Sequence, residues 1–205
     1  MTLVELIVTF AVAAIFMAAA AMLVVPATKM TLEVKAMNRV HDDAAIIMET
    51  IVNELSYAEP YADSTGMATS IQLIDFVNDA ADPYNGYYQA VKYNDKGGNS
   101  AVIKVTTAAD TEAVALVGEG KLLIAYDQID DDEGTSIREK IDWSYGKGLY
   151  RDNEIKLGFQ KKTGENIITV RLTVTNTTSG YSYTQETDVR CINVTEDKIT
   201  EVAGP

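Results

Sequence analysis

Residues able to do acid–base, nucleophilic or metal chemistry are few in this chain of 205 residues. The one histidine, His41, and the one cysteine, Cys191, are far apart in sequence, and neither belongs to a spacing typical of a catalytic dyad or zinc site. No Gly-rich phosphate loop, Gly-x-Ser-x-Gly elbow or Cys-x-x-Cys pair occurs. We therefore expect no enzyme activity and no cofactor, with His41 solvated or at an interface and Cys191 buried in a strand.

An acidic run is the best sequence candidate for a metal site. Hard cations such as Ca²⁺ take several oxygen ligands, and four carboxylates cluster here: Asp127, Asp130, Asp132 and Glu133. The spacing of a twelve-residue calcium loop is absent. We prefer a solvated acidic turn, with calcium binding as the alternative.

The formal net charge of −13 argues against a nucleic-acid partner. A phosphate backbone is bound by clustered Lys and Arg, and this chain has an excess of Asp and Glu. Such a balance is typical of an acidic, well-solvated surface.

An apolar segment with a carboxylate at its head dominates the N-terminus. Residues 6–25 contain one polar side chain, Thr9, and Glu5 stands just before them. A helix of roughly 20 residues crosses the hydrocarbon core of a bilayer. A carboxylate inside such a segment costs up to roughly 2.5–3.5 kcal/mol, so it requires a partner. The nearest cation is the amine of Met1, provided that Met1 is a free N-terminus.

These residues resemble the mature N-terminus of type IV pilins and pseudopilins. Residues 1–7 read Met1-Thr2-Leu3-Val4-Glu5-Leu6-Ile7, and the family hallmark is a glutamate at position 5, here Glu5. The resemblance, which extends over residues 1–58, implies that a basic leader is cleaved just before Met1 and that the Met1 amine is then methylated. It also implies that Met1 and Glu5 act in assembly.

The resemblance further implies partners and a location. The chain would polymerise with itself into a helical filament, after first residing in the inner or cytoplasmic membrane. Its other partners would be a prepilin peptidase and the pilus assembly machinery, and the filament would stand outside the cell and serve adhesion or motility. Many pilins of bacteria with an outer membrane carry a disulfide in the head. A lone Cys191 cannot form one within the chain, which favours a Gram-positive or anaerobic source.

The helix is expected to continue through residues 27–58 as an amphipathic segment. Steps of three and four place apolar residues on one stripe: Met37, Val40, Ala44, Ile47, Met48, Ile51, Leu55 and Ala58. The exposed side would carry Asn38, Arg39, Asp42, Asp43, Glu49 and Asn53. Because Pro60 disfavours helical geometry at the residue before it, the helix should end near Ala58.

Pro26 predicts an irregularity in this helix. Proline removes one backbone hydrogen bond and clashes with the carbonyl four residues earlier, that of Met22. The sequence predicts a kink or a loss of helicity within residues 18–28, with a mild bend as the alternative. The family often has a glycine near position 14 and a proline near 22, whereas this chain has Ala14 and Pro26.

After residue 58 the apolar period changes from helical to alternating, which predicts a β-rich head over residues 59–205. We expect a loop over 59–70 and an antiparallel sheet of four to seven strands, with the long helix on one face. The candidate strands from which this sheet would be drawn are 70–77, 87–93, 101–107, 121–129, 137–143, 155–161, 167–176 and 181–194. The polar tail from 196 is expected to be loosely held or to pack on a neighbouring subunit.

The sequence therefore predicts an α+β pilin fold in three parts: an apolar assembly or transmembrane helix (1–26), its amphipathic continuation (27–58) and the head (59–205). The predicted function is that of a structural filament subunit. The alternatives are a minor pilin or pseudopilin of a pilus or secretion system, and an uncleaved membrane-anchored binding module.

Overall fold

The computed structural model describes residues 2–62, 68–108, 110, 118–127 and 152–202. In chain order the elements are α1 (Leu3–Ser56), β1 (Tyr61–Ala62), β2 (Ala68–Phe76), β3 (Tyr88–Asn94), β4 (Ser100–Val105), β5 (Leu122–Asp127), β6 (Asn153–Lys161), β7 (Ile167–Asn176), β8 (Ser182–Arg190), a 3-10 turn (Glu196–Lys198) and β9 (Ile199–Glu201). The chain divides into two compact units, Met1–Arg39 and Val40–Pro205. The boundaries expected after residues 26 and 58 stay predictions.

Helix α1 continues through Pro26. Residues 18–28 are helical throughout, so the expected loss of helicity does not occur in the single chain. Four consecutive alanines, residues 18–21, precede the proline, and alanine has the highest helix propensity. Pro26 nevertheless has no N–H to offer the carbonyl of Met22. A kink at Pro26, and melting within an assembled filament, stay predictions.

In the second unit the amphipathic end of α1 packs on the sheet, as the apolar period predicts. Met37, the first residue of the predicted stripe, is exposed, whereas the stripe is buried from Val40 to Leu55: Val40, Ala44, Ile47, Met48, Ile51 and Leu55. The helix ends at Ser56, two residues before the expected end, and Ala58 is buried just after it. This packing confirms the α+β class.

The sheet has nine strands among the described residues, more than the four to seven expected. Its main path is β1-β2-β3-β6-β7-β8; β4 pairs with β3 and with β5, and β9 pairs with β2. All pairings are antiparallel except that of β2 with β9. The expected strand at 137–143 lies outside the described residues.

The core follows from strict alternation along β6 and β7. On β7 every second side chain points to the helix, and Leu172 lies opposite Leu157 of β6. The intervening residues of β7 face the other way, and from Thr169 to Thr175 all of them are polar. The inward side chains of the two strands are Ile155, Leu157, Phe159, Ile168, Val170, Leu172 and Val174.

The C-terminal tail is held more firmly than its polar composition suggests. Ile199 is buried, and the backbone N–H of Val202 donates to the carbonyl of Leu73 at 2.9 Å. These contacts form β9, the parallel partner of β2. The expectation of a loose tail is therefore wrong for residues 199–202, because a buried isoleucine and a strand ladder fix them.

Residues 77–87, which connect β2 to β3, lie across the outer face of the sheet, and we call them the tyrosine strap. The hydroxyl of Tyr84 donates to Oγ1 of Thr173 at 2.7 Å. The guanidinium of Arg171 lies 5.5 Å from the ring centre of Tyr84 and 5.6 Å from that of Tyr87. Burial raises the pKa of Tyr84, so its hydroxyl stays protonated and keeps donating.

The strap requires a glycine beneath it. A Cβ at Gly158 of β6 would stand 2.5 Å from Cδ1 of Tyr84 and 3.0 Å from Cβ of Tyr87. No side chain fits at that distance, so the strap lies flat on the sheet because position 158 has none.

Gly158→Ala should destabilise the head by about 1–3 kcal/mol, because the added methyl group displaces Tyr84. The measurement is urea unfolding of the full chain in detergent micelles. The control repeats the substitution in a Tyr84→Ala background, where much less than half of the loss should remain. An equal loss in both backgrounds would show that contact with Tyr84 is not the cause.

Candidate assembly surface

The first described turn of α1 is closed by Thr2 and Glu5. The backbone N–H of Thr2 donates to Oε2 of Glu5 at 2.8 Å, and the N–H of Glu5 approaches Oγ1 of Thr2 at 3.4 Å. This reciprocal pair is a capping box, which satisfies two N–H groups that the first turn leaves without helical partners. Glu5 therefore has a local partner that the sequence analysis missed. The Thr-x-x-Glu spacing is the signal that would have predicted it.

The apolar part of α1 is exposed around its whole circumference. Side chains on different sides of the helix are three-quarters exposed, among them Ile15 at 71%, Phe16 at 78% and Met17 at 76%. The helix is long and apolar enough to cross a membrane by length and composition. A surface of this kind is covered by lipid or by another apolar surface.

The few hydroxyls on this surface are satisfied within the helix. Oγ1 of Thr9 donates to the carbonyl of Glu5 at 2.7 Å, and Oγ1 of Thr28 donates to that of Val24 at 2.8 Å. A threonine that bonds its own helix adds no unmet polar group to an apolar interface. The surface is thus compatible with hydrocarbon or with tightly packed helices.

In the second unit a buried polar chain fixes the helix on the sheet. Asp43, 5% exposed, accepts a hydrogen bond from Nδ2 of Asn153. Oδ1 of Asn153 accepts one in turn from Nδ2 of Asn176 at 3.0 Å. The expectation that Asp43 faces solvent is wrong. Nothing in the helical pattern reveals its partner, which lies on a strand far along the chain.

A second polar contact lies near the end of α1. The hydroxyl of Tyr93, which is fully buried, donates to Oε2 of Glu54 at 2.9 Å. Burial, and then the nearby carboxylate, raise the pKa of Tyr93, so its proton stays on the phenol. Burial, and then the same carboxylate of Glu54, also raise the pKa of Tyr126. Glu54 is a second anchor that the sequence analysis did not single out.

His41 packs in the same unit against the start of β8. Its Nε2 lies 3.1 Å from the hydroxyl of Tyr181, and its ring centre lies 3.9 Å from that of Tyr183. The histidine thus has a structural role within the unit. Both tyrosines are partly buried beside the core; Tyr183 lies in β8, and Tyr181 stands just before that strand.

The sequence candidates for metal binding are not brought together in the described residues. Asp127 ends β5, where its backbone pairs with Ser100. Asp130, Asp132 and Glu133 lie outside the described residues, as does Met1. Within the described ranges no group of three His, Cys, Asp or Glu side chains is placed to hold a metal ion. The calcium alternative stays a prediction.

Cys191 is buried, as expected, but it stands just after β8 and not within a strand. Burial raises the pKa of its thiol to about 12, so the thiolate, the reactive form, is scarce at neutral pH. This fits a packing role.

The head also has a cavity of about 670 Å³ between β4 and β6. Charges of both signs line it, including the ion pair of Lys104 with Asp110. The described part of that lining contains no His, Cys or Ser.

Comparison with known proteins returned no matching family model, no matching curated protein and no matching solved structure. The resemblance of the first residues to pilins therefore rests on the residues themselves and on the helix-on-sheet architecture.

Asp43→Ala should lower the free energy of unfolding by about 1–3 kcal/mol, because it leaves the buried amide of Asn153 without its acceptor. Urea unfolding of the full chain in detergent micelles measures this. Asp42→Ala is the matched control, since Asp42 is the exposed neighbour, and it should change stability by no more than about 0.5 kcal/mol. Equal midpoints for the two variants would contradict the assignment.

Proposed function

We propose that this chain is the repeating subunit of an extracellular type IV pilus-like filament. One observation carries the proposal: an exposed, bilayer-length apolar helix begins with a carboxylate at position 5 and continues into a helix packed on a mostly antiparallel sheet. Before assembly the apolar helix would lie in the inner or cytoplasmic membrane. In the filament the same surface would pack against the helices of other subunits.

Glu5 would set the register between subunits. Opposite charges at about 4 Å attract by about 4 kcal/mol at an effective dielectric of about 20, before the cost of desolvation is subtracted. The capping box uses one oxygen of Glu5, and a carboxylate has several acceptor sites. The same side chain can therefore cap its own helix and accept the methylated Met1 amine of a neighbour. Apolar packing would supply the cohesion.

Two alternatives remain, one within the pilin class and one outside it. A minor pilin or pseudopilin would have the same architecture and occupy few positions, so the number of copies along a purified filament separates it from a repeating subunit. The second alternative is an uncleaved membrane-anchored binding module. The capping box is compatible with it, because Glu5 already has a hydrogen-bond partner in its own chain and does not need a neighbouring subunit for one.

Mass spectrometry of the N-terminus tests the class. A mature chain that starts at a methylated Met1 is the expected result. A chain from the membrane fraction that retains residues upstream of Met1 would favour the anchored module and overturn the filament proposal.

Glu5→Gln should abolish filaments while the membrane pool persists. Glutamine still serves in a capping box, so this variant removes the charge and keeps the cap. Thr2→Ala is the matched control, because it weakens the cap by about 1 kcal/mol and keeps the carboxylate; it should still assemble. The measurement is the amount of subunit in sheared filaments against the amount in the membrane. Normal filaments from Glu5→Gln would mean that Glu5 acts as a cap alone.

A further inference from the structure

Charged side chains follow the apolar run on the exposed helix of the first compact unit. Lys29, Glu33, Lys35 and Arg39 are all exposed. The ion pairs found among the described residues join other side chains, in the head. These four charges are therefore available to a partner.

One opposite-charge pair repeats the spacing at the start of the chain. Lys29 precedes Glu33 by the same four residues that separate Met1 from Glu5. The two pairs are 28 residues apart, a whole number of heptads, so helices that wound around one another with a period of 3.5 residues would carry both pairs on one side. A second copy of the helix displaced by four residues, about 6 Å, thus aligns both pairs at once.

We propose that Lys29 of one subunit pairs with Glu33 of the adjoining subunit, at the displacement that brings Glu5 to the Met1 amine. The partner is a second copy of this chain, and the inference rests on the filament proposed above. The pair would form a second register contact beyond the uncharged run of residues 6–25, on a stretch where the charges alternate with the exposed apolar side chains of Met30, Leu32 and Val34.

Two features favour a contact between copies over a contact within one helix. The pair does not form in the single chain, as the ion pairs found in the described residues show. Lysine four residues before glutamate is also the weaker of the two orientations for a pair within a helix. Lys35 supplies the contrast. Four residues after it stands Arg39, so the same displacement gives Lys35 no acidic partner.

Charge reversal in cells that assemble the full chain tests the pair. Lys29→Glu alone and Glu33→Lys alone should each lower the subunit in sheared filaments by about tenfold or more, because like charges then meet at every repeat. Cells that express the two variants together should recover filaments, since each Glu at 29 then faces a Lys at 33 and each Lys at 29 faces a Glu at 33. Lys35→Glu is the matched control and should assemble normally.

The mixture separates the possible outcomes. Filaments at the normal level from both single variants would overturn the inference. Failure of the mixture to recover filaments would also overturn it. This holds even if the double variant Lys29→Glu/Glu33→Lys forms filaments, because rescue by the double variant without rescue by the mixture indicates a pair within one helix. If the unaltered chain forms no filaments, the filament proposal itself fails. If the unaltered chain forms filaments and Glu5→Gln does not, the filament proposal stands, and the charge-reversal results then test the Lys29–Glu33 pair alone.

Discussion

An exposed apolar half-helix is the constraint on which the rest of this protein depends. Each large apolar side chain along it, such as Phe10 or Leu23, gains about 1.5–3 kcal/mol when it is fully buried. Across the half-helix these gains are large compared with the stability of a typical domain. The helix therefore requires a bilayer or other helices around it. In the proposed function, a subunit that moved from the membrane into a filament would exchange one apolar environment for another without exposing this surface to water.

Apolar burial has no direction, so polar contacts define position. In the second unit Asp43 and Glu54 bond partners on β6 and β3, and they fix where along the sheet the helix lies. A shift of the helix by one turn would leave those buried groups unpaired, at a cost of about 1–3 kcal/mol each. The proposed contacts between subunits divide the work in the same way. Apolar packing would hold the helices together, and a small number of charge pairs would select one displacement of each helix along its neighbour.

Most of the architecture could be predicted from local pattern. The alternation in residues 167–176 predicted β7, and the stripe from Val40 to Leu55 predicted the packed face of α1, because side-chain direction repeats every two residues in a strand and every 3.6 in a helix. The prediction failed where the outcome depended on a distant partner. Asp43 stands three residues after buried Val40 and four before buried Ile47, so it lies on the packed side of α1, and Asp42 does not. Its partner Asn153 lies far along the chain, and the local pattern does not identify it. The tail became β9 because β2 offered it an edge.

The sequence by itself determined the long helix, its apolar half, the β-rich head and the capping box, since each depends on residues within a few positions of one another. Only the tertiary structure decided the strand order, the buried polar chain through Asn153 and Asn176, and the tyrosine strap over Gly158. Those features depend on which residues meet after the chain has closed loops of many residues. Packing and hydrogen-bond geometry select such contacts, and they cannot be predicted from the local periodicity of the chain.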